Sequence, residues 1–400
     1  MRVQLSKTTA SHVRLSACQP LLVLAARARD KLRPKRVTST ILALTAAASF
    51  LGSLHVCVLT RDFALRRALL DRPNERSLHT TPVPRLGGVA IVLACYAALL
   101  LALRETSQPH ALWPWLLGAL PVAAVGLLDD LRPLHAGLRL LIQLGVAGAF
   151  CATLALPTEL LLTPALSVTM PAAVFAICGA VFLVALLNIY NFMDGMDGLA
   201  ATQAVGASMA FATSAIAFGH EDLALLSLAL LGASGGFFVH NAPPAKLFMG
   251  DVGSTFLGFS FASITFIGLT RPTHPIALSP AIFALAPFLF DGSFTLLRRA
   301  LRGEKIWQAH RTHLYQRAVA SGLQHHDVLV RYAAWTAFGV VTAVADIHTK
   351  GGYTWLFALG HVACFIAVWR WVCTRERALE AANQHAPEPP ASRSLRLEHR

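Results

Sequence analysis

Five polar strings stand out along the 400-residue chain, each beside a long apolar block. The most informative runs from Asn188 to Ala200 and reads NIYNFMDGMDGLA. Asn188, Asn191, Asp194 and Asp197 recur at every third position, a slowly rotating stripe on a helix. The string contains no basic residue. Four such groups repel one another and stay partly unsatisfied unless they meet a cation or a ligand rich in donors. A helix cap uses one Asp or Asn, not four.

A second string, GLLDD, ends in Asp129 and Asp130. Adjacent helical residues point about 100° apart, so the two carboxylates divide labour. A solvated helix end is the plain alternative, although acids near a bilayer are costly. Arg139 and Gln143 follow, one helical turn apart, with Arg139 placed either to face a phosphate or to anchor the interface. The third string, NAPPAKLFMGDVGST, carries Asn241 and sets Asp251 between Gly250 and Gly253. A carboxylate there can turn toward a metal, while Ser254 and a helix N-terminus favour an anion; capping is the simpler role.

The fourth string, DRPNERSLHTTPVPRLGG, offers Arg76, His79 and Arg85 to phosphate oxygens, and an ordinary basic loop fits it equally well. In the fifth, HRTHLYQR, His310 and His313 are expected on one helical face. Two histidines without a third ligand make a weak metal site, so with Arg311 and Arg317 alongside, phosphate contact is the better reading. Asp291 lies inside an apolar block, where Arg298 can pair with it structurally. His325 and His326 read as solvated.

The elements that must position these groups are membrane helices. Hydrophobic residues make up 55% of the chain, charged residues 14%, and mean hydropathy is +0.55; soluble domains carry about 25% charged residues. Eleven apolar blocks, at 38–60, 86–103, 111–128, 138–156, 171–187, 198–218, 222–239, 253–269, 275–297, 329–345 and 353–373, are each near the length that crosses a bilayer as a helix. The alternating strands of a membrane barrel are missing. The fold expected is all-α and polytopic. Seven scattered cysteines have no ligand spacing and read as small buried hydrophobes.

The net charge of +13 follows topology and does not indicate a nucleic-acid partner. If each block reverses direction and 61–85 is cytoplasmic, the cytoplasmic segments hold 21 Lys and Arg, while the opposite loops hold Arg104, Arg271 and Lys350. That asymmetry fixes the orientation in a cytoplasmic (inner) membrane and turns all five strings to the cytoplasm. Residues 1–36, with nine Lys and Arg, disagree with it and are expected to be a basic, disordered extension. Residues 37–375 form one membrane domain, and 376–400 read as a disordered tail.

Taken together and in this order, the strings resemble the polyprenyl-phosphate N-acetylhexosamine 1-phosphate transferase family, over roughly residues 40–375. The family includes the phospho-N-acetylmuramoyl-pentapeptide transferases and enzymes that initiate O-antigen synthesis. The resemblance implies Mg²⁺ (or Mn²⁺) on Asp251, with Asn191, Asp194 and Asp197 lining the nucleotide and metal pocket. It implies Asp129 as the base that frees the carrier phosphate, Asp130 beside it, Asn241 near the uracil, and His310 and His313 at the diphosphate. The implied partners are a UDP-sugar, undecaprenyl phosphate and membrane lipids, and a homodimer. Three departures, Arg76-Ser77, Arg139 for a lysine and HRTH for a triple histidine, favour a simple UDP-N-acetylhexosamine over the muramoyl-pentapeptide substrate.

Such chemistry brings two anions together, and like charges ~4 Å apart cost about 4 kcal/mol at an effective dielectric near 20. A divalent cation with Arg76 or Arg85 and the histidines would offset that repulsion. Direct displacement needs only a base, whereas a two-step route would use Asp251 or Asp129 as nucleophile. A cation-coupled transporter, with Asp194, Asp197 and Asp291 on an ion path, is the alternative from another class. It predicts acids near the bilayer midplane and paired repeats, which the chain lacks.

Overall fold

In the computed structural model of the chain, residues 37–73, 78, 81–106, 112–305 and 310–384 are described. Their regular structure is almost entirely helical. The apolar blocks become α1 (Ser39–Arg66), α2 (Gly87–Ala102), α3 (Trp113–Leu131), α4 (Ala136–Ala152), α5 (Ala172–Phe192), α6 (Leu199–Ala217), α7 (Glu221–Asn241) and α8 (Gly250–Leu269). They continue as α9 (Leu278–Ala284), α10 (Ala286–Leu301), α12 (His325–His348) and α13 (Thr354–Gln384), with the short α11 (Leu314–Ala320) between α10 and α12.

Nine helices among the described residues are long and apolar enough to cross a membrane, and the chain is an all-α polytopic membrane protein. Two of the eleven expected spans differ. The fourth is α4, only 17 residues long and opened by a cap in which His135 accepts from Gly137 N. The ninth is broken into α9 and α10, which meet at 81° around Leu285. Pro287, in the first turn of α10, has no N–H to return to the carbonyl of Phe283, so the ladder is cut there. The tail also differs, because α13 continues as helix to Gln384, well past residue 375. Residues 1–36 and 385–400 lie outside the described residues.

The bundle is built around α8. Its membrane-length window is 100% buried, against 22% for α1 and 17% for α13 at the periphery. Helices α2, α3 and α5 pack directly on α8. Trp115 donates to Ser260 Oγ across the α3–α8 contact at 3.0 Å. A glycine pair lets α2 and α8 touch through backbone. A Cβ on Gly88 would stand 2.2 Å from Gly253 N, the close approach that small residues permit between membrane helices.

Two short antiparallel pairings complete the fold. β1 (Leu70–Asp71) pairs with β2 (Val83–Pro84), and β3 (Glu159–Thr163) pairs with β4 (Leu166–Thr169). The first matters for the polar end. Phe248 N donates to Pro84 O at 2.9 Å, while Gly87 N and Gly88 N donate to Phe248 O and Met249 O. The loop before α2 is thereby fastened to the loop before α8.

Gly88→Ala is expected to push α2 from α8 and to lower the thermal unfolding midpoint in detergent, at a cost of about 1–3 kcal/mol. Gly148→Ala, where a Cβ meets nothing within 4 Å, is expected to leave the midpoint unchanged. Equal midpoints for the two variants would contradict the backbone contact.

Candidate active site

The first link in the polar end is backbone. Gly250 opens α8 with φ of 74°, a left-handed conformation suited to glycine. A Cβ there would stand 2.6 Å from Asp130 Oδ2. With that space open, Asp130 accepts from Asp251 N at 2.9 Å and Val252 N at 3.0 Å, capping α8 from the end of α3. Asp129, one residue earlier, turns elsewhere. It accepts from Leu134 N at 2.6 Å and forms a close ion pair with Arg139 of α4. The two carboxylates divide labour as their spacing predicts.

Arg139 also reaches Asp251 Oδ2 at 3.0 Å. The other oxygen of Asp251 accepts from Asn191 Nδ2 at 3.0 Å, and the same amide nitrogen meets Ser254 Oγ at 2.9 Å. Asn188, one turn back on α5, donates to Gln143 Oε1 at 2.8 Å and so joins α5 to α4. Beyond the end of α5, Asp197 accepts from Ala245 N at 3.0 Å. Asn241 is 3% exposed and committed in both directions, accepting from Gly198 N and donating to Leu247 O.

These groups surround a cavity of about 300 Å³. Asp130, Asn191, Asp194, Asp197, Asn241 and Asp251 all line it, together with Arg85, which is paired with Asp71 at 2.6 Å. A narrower cleft of about 20 Å³ between α3, α4 and α5 shares Asn191 and Asp251 with it and adds Asp129, Arg139 and Asn188. Burial, with the charges of Asp251 and Asp130 close by, pushes the Asp194 carboxyl well above the ordinary carboxylate range.

Residues 112–269 match the family described as Glycosyl transferase family 4. The chain is 31% identical over 311 residues, 77% of its length and 85% of the relative's, to the "Probable undecaprenyl-phosphate N-acetylglucosaminyl 1-phosphate transferase" of Bacillus subtilis (strain 168). The chain belongs to glycosyl transferase family 4. A decaprenyl-phosphate N-acetylglucosaminephosphotransferase of Mycobacterium tuberculosis (strain ATCC 25618 / H37Rv) is 28% identical over 71% of the chain and 78% of the relative. A phospho-N-acetylmuramoyl-pentapeptide-transferase of Lactiplantibacillus plantarum is 29% identical over 66% of the chain and 84% of the relative.

In this family 4 chain the HRTH string takes a form that its spacing does not predict. His310 and His313 both precede α11, so they share no helical face; their rings pack 4.9 Å apart beside Phe192. Neither lines the cavity. Burial, then the neighbouring His313, Arg299 and Arg298, push His310 down to about 4, so it is neutral at physiological pH. Its Nδ1 meets Thr312 Oγ1 at 3.0 Å. Arg311 is half-buried beside it. Arg317 points away from the cavity and makes a two-pronged pair with Glu376 of α13, at 2.9 and 2.6 Å. Arg76 and His79 lie outside the described residues.

Asp291 is structural, as expected, but Arg298 is not its partner; Arg298 donates to Thr312 O at 3.0 Å. The Asp291 carboxylate is 0% exposed and accepts from Leu314 N at 2.9 Å, Tyr315 N at 3.3 Å, Thr295 Oγ1 at 3.2 Å and Tyr332 Oη at 2.6 Å. His313 Nδ1 stands 3.4 Å from it. This anchor carries the HRTH string from α10. An ion path through it has no support, since every lone pair faces a fixed donor.

Among the described residues, no three His, Cys, Asp or Glu side chains are grouped to hold a metal ion. The residues expected as Mg²⁺ ligands, Asp251, Asn191 and Asp194, nevertheless share the cavity wall, and Asn191 presents its nitrogen to Asp251. Carboxylate and carboxamide oxygens are the donors a hard divalent cation takes. Burial is the main cause that raises Asp194, and such an ion would relieve the added repulsion from Asp251 and Asp130.

Leu78, Met196, Phe248, Gln316 and His325 also line the cavity, and the sequence assigns none of them a role there. Sequence context suggests a solvated side chain for His325, yet its Nδ1 stands 3.4 Å from Asp197 Oδ2. No spacing marks it, because the contact is made by the start of α12 folding back over the end of α5.

Asp291→Ala leaves the N–H groups of Leu314 and Tyr315 and the Tyr332 hydroxyl without their buried acceptor, a loss on the order of 3–5 kcal/mol. Hydrogen exchange at Leu314 and Tyr315 is expected to speed up by at least tenfold, with the α3–α8 junction unaffected. Unchanged exchange at these two amides would contradict the anchor.

Proposed function

We propose that this chain transfers a sugar 1-phosphate, of the N-acetylhexosamine class, from a UDP-sugar to undecaprenyl phosphate, releasing UMP. The observation that carries this reading is the meeting of two pockets at Asn191 and Asp251. One is roomy and acidic, suited to a diphosphate accompanied by a cation. The other is narrow, contains Arg139, and borders α4, whose Leu138, Leu141 and Leu144 are exposed on the outer face. A nucleotide sugar fits the first and a lipid phosphate the second. The names of the relatives, which carry polyprenyl phosphates and N-acetylglucosamine phosphate, support the same pairing.

The step balances as a phosphoryl-centred displacement. An oxygen of the carrier phosphate attacks the phosphorus that bears the sugar, the bond from that phosphorus to the bridging oxygen breaks, and UMP leaves with the electron pair. The product is a lipid diphosphate sugar. Asp129 takes any proton remaining on the carrier phosphate, and Arg139, already spanning Asp129 and Asp251, orients the attacking anion. Asp194 and Asp251, with Asn191, are the groups to hold Mg²⁺ or Mn²⁺. Such an ion would neutralise the diphosphate and stabilise the leaving UMP. Asp130 fixes Asp251 by holding its backbone N–H.

The asymmetry of positively charged residues supports a cytoplasmic setting for the acidic end, in a bacterial inner membrane. The HRTH string favours a simple UDP-N-acetylhexosamine, and a product of this kind initiates polysaccharide or other envelope glycan synthesis.

Purified protein given UDP-N-acetylglucosamine, other UDP-N-acetylhexosamines and undecaprenyl phosphate is expected to release UMP only with Mg²⁺ or Mn²⁺, and chelation is expected to stop it reversibly. Asp251→Asn is expected to lower kcat by about 10²–10³-fold. UMP release that is indifferent to chelator, or wild-type turnover by Asp251→Asn, would contradict the assignment; mass analysis of the lipid product identifies the sugar.

A further inference from the structure

The start of α12 places two adjacent histidines in opposite surroundings. His326 is 74% exposed and 4.0 Å from Asp327 beside it. His325 is 18% exposed, turned inward, and lines the large cavity. Its Nδ1 faces Asp197 Oδ2 at 3.4 Å, so the carboxylate fixes the ring and leaves Nε2 as the ring atom not committed to Asp197. Asp197 is itself held by Ala245 N at 3.0 Å, in the loop that runs from Asn241, at the end of α7, to Phe248, and both of those residues line the same cavity.

The composition of the cavity wall separates two kinds of surface. Asp130, Asp194 and Asp251 gather the negative charge that a cation-bound diphosphate needs. Leu78, Met196 and Phe248 supply apolar surface, and beside Asp197 the imidazole of His325 adds a polar edge. Apolar faces with a few fixed hydrogen-bonding groups suit a flat heterocycle with its attached sugar ring better than they suit a phosphate.

We infer that His325 is a substrate-binding residue that contacts the nucleoside half of the donor, with Asp197 holding the imidazole in place. This rests on the UDP-sugar reading above. Loss of one such hydrogen bond from a desolvated site weakens binding by roughly tenfold.

The test uses full-length protein in detergent with Mg²⁺, UDP-N-acetylglucosamine, undecaprenyl phosphate and, separately, UMP as a probe of unfolding temperature. His325→Ala is expected to raise KM for the UDP-sugar about tenfold while kcat and the KM for undecaprenyl phosphate stay within about twofold. The stabilisation by UMP is expected to shrink, with the ligand-free unfolding midpoint unchanged. His325→Gln, which keeps a polar tip, is expected to recover part of both effects, and it replaces His325→Ala if that variant does not fold. His326→Ala is expected to match wild type. A His325→Ala protein stabilised by UMP as strongly as wild type overturns the inference, even if its KM for the UDP-sugar rises, because the contact would then be with the sugar. Wild-type protein that UMP stabilises but that releases no UMP from any UDP-sugar overturns the proposed reaction, while the UMP comparison still decides the role of His325. Wild-type protein that UMP does not stabilise overturns the inference itself.

Discussion

One carboxylate holds the polar end of this protein together. Asp130, the last acid of α3, accepts the backbone N–H groups of Asp251 and Val252 at the start of α8. α8 is the helix around which the bundle is built, and its buried N-terminus needs an acceptor for N–H groups that no turn of helix can satisfy. Asp130 provides it, and the left-handed Gly250 provides the space. The consequence is positional: Asp129, Asp130 and Asp251 are drawn to one junction, where Arg139 of α4 reaches Asp129 and Asp251 and Asn191 of α5 also meets Asp251.

Gathering acids in this way is costly in a membrane protein, and the cost is met unevenly. Asp71 has Arg85, Asp129 has Arg139, and Asp291 has a complete set of donors. Asp194 is different, raised by burial and by Asp251 and Asp130. A protein that needed these acids only for structure would partner each as it partners Asp291. The contrast between a saturated Asp291 and a repelled Asp194 is the physical basis for reading the cavity as a place for a cation and an anionic substrate.

Much of this was legible in sequence. Block lengths gave the all-α membrane fold, because crossing a bilayer sets both a length and a composition. The i, i+3 spacing of Asn188, Asn191, Asp194 and Asp197 put polar groups at the end of one helix, and three of the four reach the large cavity. What failed depended on tertiary contacts. A helix break at Pro287 is a local signal, but its 81° angle is set by packing. The histidines of HRTH have helical spacing, yet the string is drawn out of helix by Asp291, whose carboxylate takes the Leu314 and Tyr315 amides. Arg317 looked like a phosphate ligand and is claimed by Glu376 some sixty residues on. His325 looked like its exposed neighbour until the fold brought it to Asp197.

The central claim is that the acids at the α3–α5–α8 junction hold a divalent ion between the reactants. The most direct measurement is an experimental structure of the protein with Mn²⁺ and UMP, in which anomalous scattering locates the ion. The account predicts one strong Mn²⁺ peak bounded by Asp194 and Asp251, with UMP in the same cavity. A cavity that binds UMP with no ion near those two carboxylates, or an ion held elsewhere in the bundle, would contradict it.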